Sequence, residues 1–309
     1  MGAWVFAVVG AAACVSCVSS LAVSSFASSS KAATGGGPGS DASAGTPAVA
    51  AASAAPSKPA AGATKPSSSR KTPTTSPKSE HSNEVVSGSK APPPAGTKPG
   101  QVSACPSWVA PNPNPAADTD VKVARAKAAG RSDVVFLGDS ITALLDTSGL
   151  IPKKYAPTLP AGKRKVTMLG VGGDVIENVA WRICQPASFP RASVYVVCIG
   201  TNNVLAPPAT IAERHKTLLE FLRTAEPRAH VFFLSLFLRT EGGAPRDAAV
   251  REVNANLKKM VRASDSRVHY ASWPYDLTKP EDLPDGLHPN DAGWTKVLDR
   301  LVPYVSTLL

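Results

Sequence analysis

From residue 118 onward the apolar positions fall into short continuous runs separated by longer amphipathic segments. The runs are 133–138 (DVVFLG), 164–170 (RKVTMLG), 193–200 (SVYVVCIG), 230–237 (HVFFLSLF) and 267–273 (RVHYASW). Runs of this length, apolar without alternation, suit strands covered on both faces of a parallel sheet. Between them the period is helical. VKVARAKAAG predicts a helix ended by Gly130, and Thr210 and Glu213 have the spacing of a capping box. Behind that box, Ile211, Leu218, Leu219 and Leu222 form an apolar stripe. Val250, Val253, Leu257, Met260 and Val261 repeat the pattern in the next segment. The last segment presents Trp294, Val297, Leu298, Leu301 and Val305 behind a cap at Asn290, with Pro303 expected to kink or shorten the helix. Five strands alternating with helices predict an α/β fold, a three-layer α/β/α sandwich around a five-stranded parallel sheet. In such sheets a ligand lies beyond the carboxyl ends of the strands, where strand order switches.

The front of the chain is different. Residues 28–104 are almost wholly Ser, Ala, Pro, Gly, Thr and Lys and contain no Phe, Trp or Tyr. Such a stretch buries too little apolar surface to offset its ordering entropy, which predicts a disordered linker. Residues 105–309 are then one folded domain of ordinary size. Residues 3–27 carry no charge, and Ser25-Phe26-Ala27 offers small residues where a signal peptidase would cut. The expectation for 1–27 is a signal peptide or a membrane anchor, the second making residues 3–27 a membrane tether. Either puts the folded domain outside the cytoplasm. A plastid transit peptide is the alternative.

Charge and cysteine refine this only a little. The net charge of +10 divides into +5 up to residue 104 and +5 beyond it. No Arg/Lys cluster alternates with aromatics, so nucleic acid is not an expected partner. Of the five cysteines, Cys14 and Cys17 lie in the leader and Cys198 reads as a buried thiol. Cys105 and Cys184 are free to pair in an exported domain.

The chemistry gathers in four loops. The first predicted strand runs into Gly138-Asp139-Ser140, the second ends in Gly170-Val171-Gly172-Gly173-Asp174, and the third ends in Gly200-Thr201-Asn202-Asn203. Asp285-Gly286-Leu287-His288-Pro289-Asn290 precedes the last helix. Singly, each is an ordinary turn. Together they supply the parts of one acyl-transfer apparatus. A serine hydroxyl needs a base, and His288 suits Ser140 near neutral pH. Asp285, three residues earlier, can hold the imidazole in one tautomer. The backbone N–H groups of Ser140 and Gly173 and the Asn202 amide are candidate oxyanion donors, each typically worth about 3–4 kcal/mol of transition-state stabilisation. This chemistry calls for no metal and no cofactor.

VVFLGDSIT, GVGGD, GTNN and DGLHPN resemble the four motif blocks of the SGNH (GDSL-type) esterases and acylhydrolases, over roughly residues 118–309. The resemblance implies a flavodoxin-like sheet, Ser140 as nucleophile, Gly173 and Asn202 as oxyanion donors, and Asp285 with His288 completing a triad. The absence of a Gly-x-Ser-x-Gly elbow disfavours the α/β-hydrolases. GVGGDVIENVAWRI, GTNN and Arg239 are similar to the branch with platelet-activating-factor acetylhydrolase catalytic subunits and bacterial acetylesterases, although Val175 and Ile176 stand where that branch usually has polar residues. Asp139, Asp174 and Arg239 are candidates for lining the substrate pocket, with a salt bridge the alternative for Arg239. Trp181 reads as core packing and Arg182 as structural. The expected activity is a serine esterase removing a short acyl group, such as acetyl, from a carbohydrate or lipid. An O-acyltransferase using the same triad and a catalytically silent carbohydrate-binding module are the alternatives.

Overall fold

The computed structural model describes residues 85–96, 98, 105–114, 118–184 and 189–309. The leader, and most of the predicted linker, lie outside the described residues.

Six strands form one sheet: β1 (Val85–Ser87), β2 (Arg131–Gly138), β3 (Val166–Gly170), β4 (Arg191–Cys198), β5 (His230–Leu234) and β6 (Val268–Ala271), in the order β1-β6-β5-β4-β2-β3. The five predicted strands are β2 to β6, all parallel, and their order is that of flavodoxin-like sheets. The sixth corrects the sequence reading. Val85–Ser87 falls within the predicted disordered linker but pairs antiparallel with β6, Val86 opposite Tyr270. Lys90 continues the contact, donating from its N–H to Ser264 O and accepting from Ser266 N–H. A three-residue strand in Ser- and Gly-rich surroundings has too few side chains to show a period. Its stability comes from the edge it covers.

Side chains along each central strand alternate between two apolar layers, as period-2 geometry requires. Val135, Leu137, Tyr195, Val197, Val231 and Phe233 face one layer; Val134, Phe136, Val194, Val196, Phe232 and Leu234 face the other. The first layer is closed by α1 (Thr119–Ala129), α3 (Ile176–Cys184), α4 (Pro208–Ala225) and α5 (Gly243–Arg262). The second is closed by α2 (Ser140–Ser148), the short α6 (Trp273–Leu277) and α7 (Asp291–Ser306). Tyr195, Phe232 and Phe233 are fully buried, and each such side chain contributes roughly 1.5–3 kcal/mol of burial.

Helix ends follow the expectations with two exceptions. The Asn290 side chain caps α7 by accepting from Gly293 N–H at 2.9 Å. Thr210 and Glu213 do not form a capping box: α4 begins two residues earlier, with Pro207 preceding it and Pro208 in the first turn. Proline's fixed φ starts a helix without a side-chain cap. Pro303 does not end α7 either, since the helix continues three residues past it. Cys198 is a buried free thiol, and Cys105 and Cys184 form a disulfide with their Cα atoms 5.6 Å apart.

Candidate active site

Strand order reverses at β2, which pairs with β3 on one side and β4 on the other. The loops leaving the carboxyl ends of these three neighbours carry the first three motif blocks. Ser140 is the first residue of α2. Asp139 caps that helix, accepting from Ile141 N–H at 3.0 Å. Glycine at 138 allows this packing, because a Cβ there would collide with Thr142 and with the carbonyl of Cys198. Val171 N–H donates to Gly138 O at 3.2 Å and ties the second loop to the first.

The fourth block approaches from the far end of the chain. His288 Nε2 lies 2.8 Å from Ser140 Oγ, and His288 Nδ1 lies 2.6 Å from Asp285 Oδ2. Asp285 Oδ1 also accepts from the backbone N–H groups of Leu287 (2.9 Å) and His288 (2.7 Å). Partial burial alone would raise the Asp285 carboxyl, but these hydrogen bonds outweigh it and bring the pKa down to about 2. An ionised Asp285 accepts only, which places the proton on Nδ1 and leaves Nε2 to accept from the serine hydroxyl. The loop is held from below, where Gly286 O accepts from Thr240 and Glu241 N–H.

Gly173 sits at φ +75°, a conformation glycine adopts readily, and Asn202 Nδ2 donates to Asp174 O at 2.9 Å, joining the second and third loops. Asn203 makes a second tie, accepting from Ile176 N–H at 3.0 Å and donating to Glu177 Oε2 at 2.9 Å. Beneath the third loop, His215 of α4 donates from Nε2 to Ile199 O at 2.9 Å. Burial holds this imidazole neutral, with its pKa down at about 4.

Three candidates for lining the pocket do other work. Asp139 is buried beneath Ser140, and desolvation pushes its carboxyl up to about 7 despite the pull of Ile141 N–H, His288 and Arg239. Asp174 is fully buried and pairs with Arg182, which also donates to Leu169 O. Arg239 takes the salt-bridge alternative: it pairs with Glu241 and donates to Thr201 O at 2.7 Å. These residues shape loops from within: Asp174 and Arg239 are spent on ion pairs, and Asp139 on the N-terminus of α2. Trp181 is half-buried.

The open space next to the histidine is a groove of about 310 Å³ lined by Leu144, Thr147, Ser148, Pro284, His288 and Trp294, among others. Leu144 lies one turn beyond Ser140, in the stretch 143–163 that was expected to shape the pocket without a diagnostic pattern, whereas Asn112 was not among the predicted site residues. Asn112 lies before the predicted helix yet reaches the second loop, donating to Gly172 O at 3.1 Å and to Asp174 Oδ1 at 2.8 Å. Its surroundings, Pro-Asn-Pro-Asn-Pro, carry neither a helical nor a strand period to mark it.

The family model for GDSL-like lipases and acylhydrolases matches residues 136–295, just over half the chain, from β2 to the first turn of α7. The chain belongs to that family. It is a carboxylic ester hydrolase of the SGNH type.

Among curated proteins, the esterase is 26% identical over 187 residues to human platelet-activating factor acetylhydrolase IB subunit alpha2, covering 57% of this chain and 77% of that protein. The mouse protein of the same name is equally similar over 188 residues. Among solved structures, a lipase/acylhydrolase from Enterococcus faecalis is 19% identical with a TM-score of 0.45, covering 57% of this chain and 96% of that one. A carbohydrate esterase family 3 protein from Talaromyces cellulolyticus is 16% identical with a TM-score of 0.41, over 57% and 97% of the two chains.

Proposed function

We propose that the esterase removes short acyl groups, acetyl above all, from a carbohydrate or lipid through Ser140, His288 and Asp285. The observation that carries this reading is the continuous relay from Asp285 through His288 to Ser140, with contacts of 2.6 and 2.8 Å. In the first step His288 Nε2 takes the hydroxyl proton as Ser140 Oγ bonds to the ester carbonyl carbon. The carbonyl oxygen becomes an oxyanion, met by Ser140 N–H, Gly173 N–H and the second N–H of the Asn202 amide. The N-terminus of α2 adds a favourable dipole at the same place. Collapse of the intermediate breaks the ester C–O bond, and the His288 proton goes to the departing alcohol. Water, deprotonated by His288, then releases the acid and restores Ser140.

Because the departing oxygen must lie near His288 Nε2, the groove beside His288 takes the alcohol part of the ester. Its wall is apolar at Leu144 and Pro284 and polar at Thr147 and Asp291, which suits a sugar or glycerol unit. The acetyl preference is supported by the activity named for the curated relatives. The Cys105–Cys184 disulfide supports an oxidising location, outside the cytoplasm. Turnover of p-nitrophenyl esters of two to eight carbons, alongside acetylated xylan and an acetylated glycerolipid, tests the substrate reading. A fall in kcat/KM with chain length is expected, with acetate released from one natural acceptor class. Faster turnover of octanoate than acetate would contradict it.

A further inference from the structure

The short segment before α1 is fastened to α3, α4 and the oxyanion loop by several independent contacts. Cys105 is joined to Cys184 at the end of α3. Trp108 lies under the Arg214 guanidinium at 5.8 Å, and Ala110 O accepts from Asn178 Nδ2 at 3.0 Å. Pro111 and Pro113 flank Asn112 and restrict its backbone. The Asn112 side chain accepts from Asn114 N–H at 2.9 Å while its amide nitrogen donates both ways, to Asp174 Oδ1 and to Gly172 O. Asp174 is itself fixed by Arg182.

The bond to Gly172 O is the informative one. That carbonyl belongs to the peptide whose N–H is that of Gly173. A donor on the oxygen of a peptide orients its plane and polarises its N–H, making it a better donor on the other side. We infer that Asn112 is a positioning residue for catalysis, aiming and strengthening the Gly173 N–H toward the oxyanion from a segment outside the four motif blocks. The disulfide and the two prolines hold Asn112 where it can do so. This inference rests on the Ser140 esterase reading above.

Because Asn112 acts through a backbone donor rather than touching substrate, its loss should cost less than the hundredfold or more of deleting such a donor. In the full-length protein, Asn112→Ala is expected to lower kcat for p-nitrophenyl acetate by about tenfold. KM should stay within twofold and the thermal midpoint nearly unchanged. Phenylboronic acid forms a tetrahedral adduct on a serine with an oxygen in the oxyanion position, so its inhibition should weaken by the same factor as kcat/KM. Should the alanine variant fold poorly, Asn112→Leu keeps the shape without the donor and is expected to show the same pattern. A kcat within twofold of wild type in a folded variant would overturn the inference. So would a fall in kcat with boronate inhibition unchanged. Ser140→Ala, run in parallel, separates the two readings: if it stays active the Ser140 reading fails, and if it is dead while Asn112→Ala is fully active only this inference fails.

Discussion

His288 Nε2 stands 2.8 Å from Ser140 Oγ, although 148 residues of chain separate them. The contact exists because α2 and α7 close the same face of the sheet, with Asn290 capping α7 two residues after the histidine. Helix packing therefore sets the distance between the imidazole and the hydroxyl.

Asp285 tests how the histidine is held. Asp285→Asn keeps the shape but presents an amide to Nδ1, favouring the wrong tautomer. The expected loss in kcat is about 10³- to 10⁴-fold, with a circular dichroism spectrum like wild type. Steady-state kinetics on p-nitrophenyl acetate checks this; a loss of less than tenfold would mean that Asp285 does not orient the base.

The disulfide should matter to stability. Cys105 and Cys184 are 79 residues apart in sequence. Replacing both by Ser frees the unfolded chain and should lower stability by about 2–5 kcal/mol. Urea denaturation of the two proteins measures the difference, and equal midpoints would show the cross-link to be thermodynamically idle.

A chain beginning at residue 105 lacks β1 and leaves the edge of β6 uncovered. It should be less stable than a chain beginning at 85, by about 1–3 kcal/mol from the burial of Val86 and the lost ladder bonds. It should also self-associate more readily, as uncovered edges do. Denaturation midpoints and light scattering of the two chains decide the matter.

Buried histidines set the acid sensitivity. Burial lowers the pKa values of His215, His230 and His269 to about 4 in the folded state, from 6.5. Between those values the unfolded chain takes up protons that the folded protein refuses, so stability falls as pH drops from 6.5 toward 4. Asp139 works in the opposite sense. Its carboxyl, raised from 3.8 to about 7 by burial, binds a proton in the folded state first and gains stability as pH drops through that window. Three groups oppose one, so the urea midpoint should be lower at pH 4.5 than at pH 6.5. A flat or inverted profile would show that these histidines are solvated.

Much of this was legible in the sequence because buried parallel strands and motif loops are local patterns. Five strands and the four loops announce themselves within about ten residues each. What escaped was set by distant partners. Val85–Ser87 is a strand only because β6 has an open edge. Asp139, Asp174 and Arg239 were legible as motif residues, but whether a charge faces substrate or protein depends on what packs over it. Asn112 gave no signal because its role is fixed by Gly172 and Asp174, some 60 residues away.

Ser140 as nucleophile is tested by removing its hydroxyl. The direct measurement is p-nitrophenyl acetate hydrolysis by the full-length protein and its Ser140→Ala variant, with folding confirmed by thermal midpoint. A fall of kcat by about 10⁴-fold or more is predicted. Turnover unchanged in the folded variant would show that Ser140 is not the nucleophile.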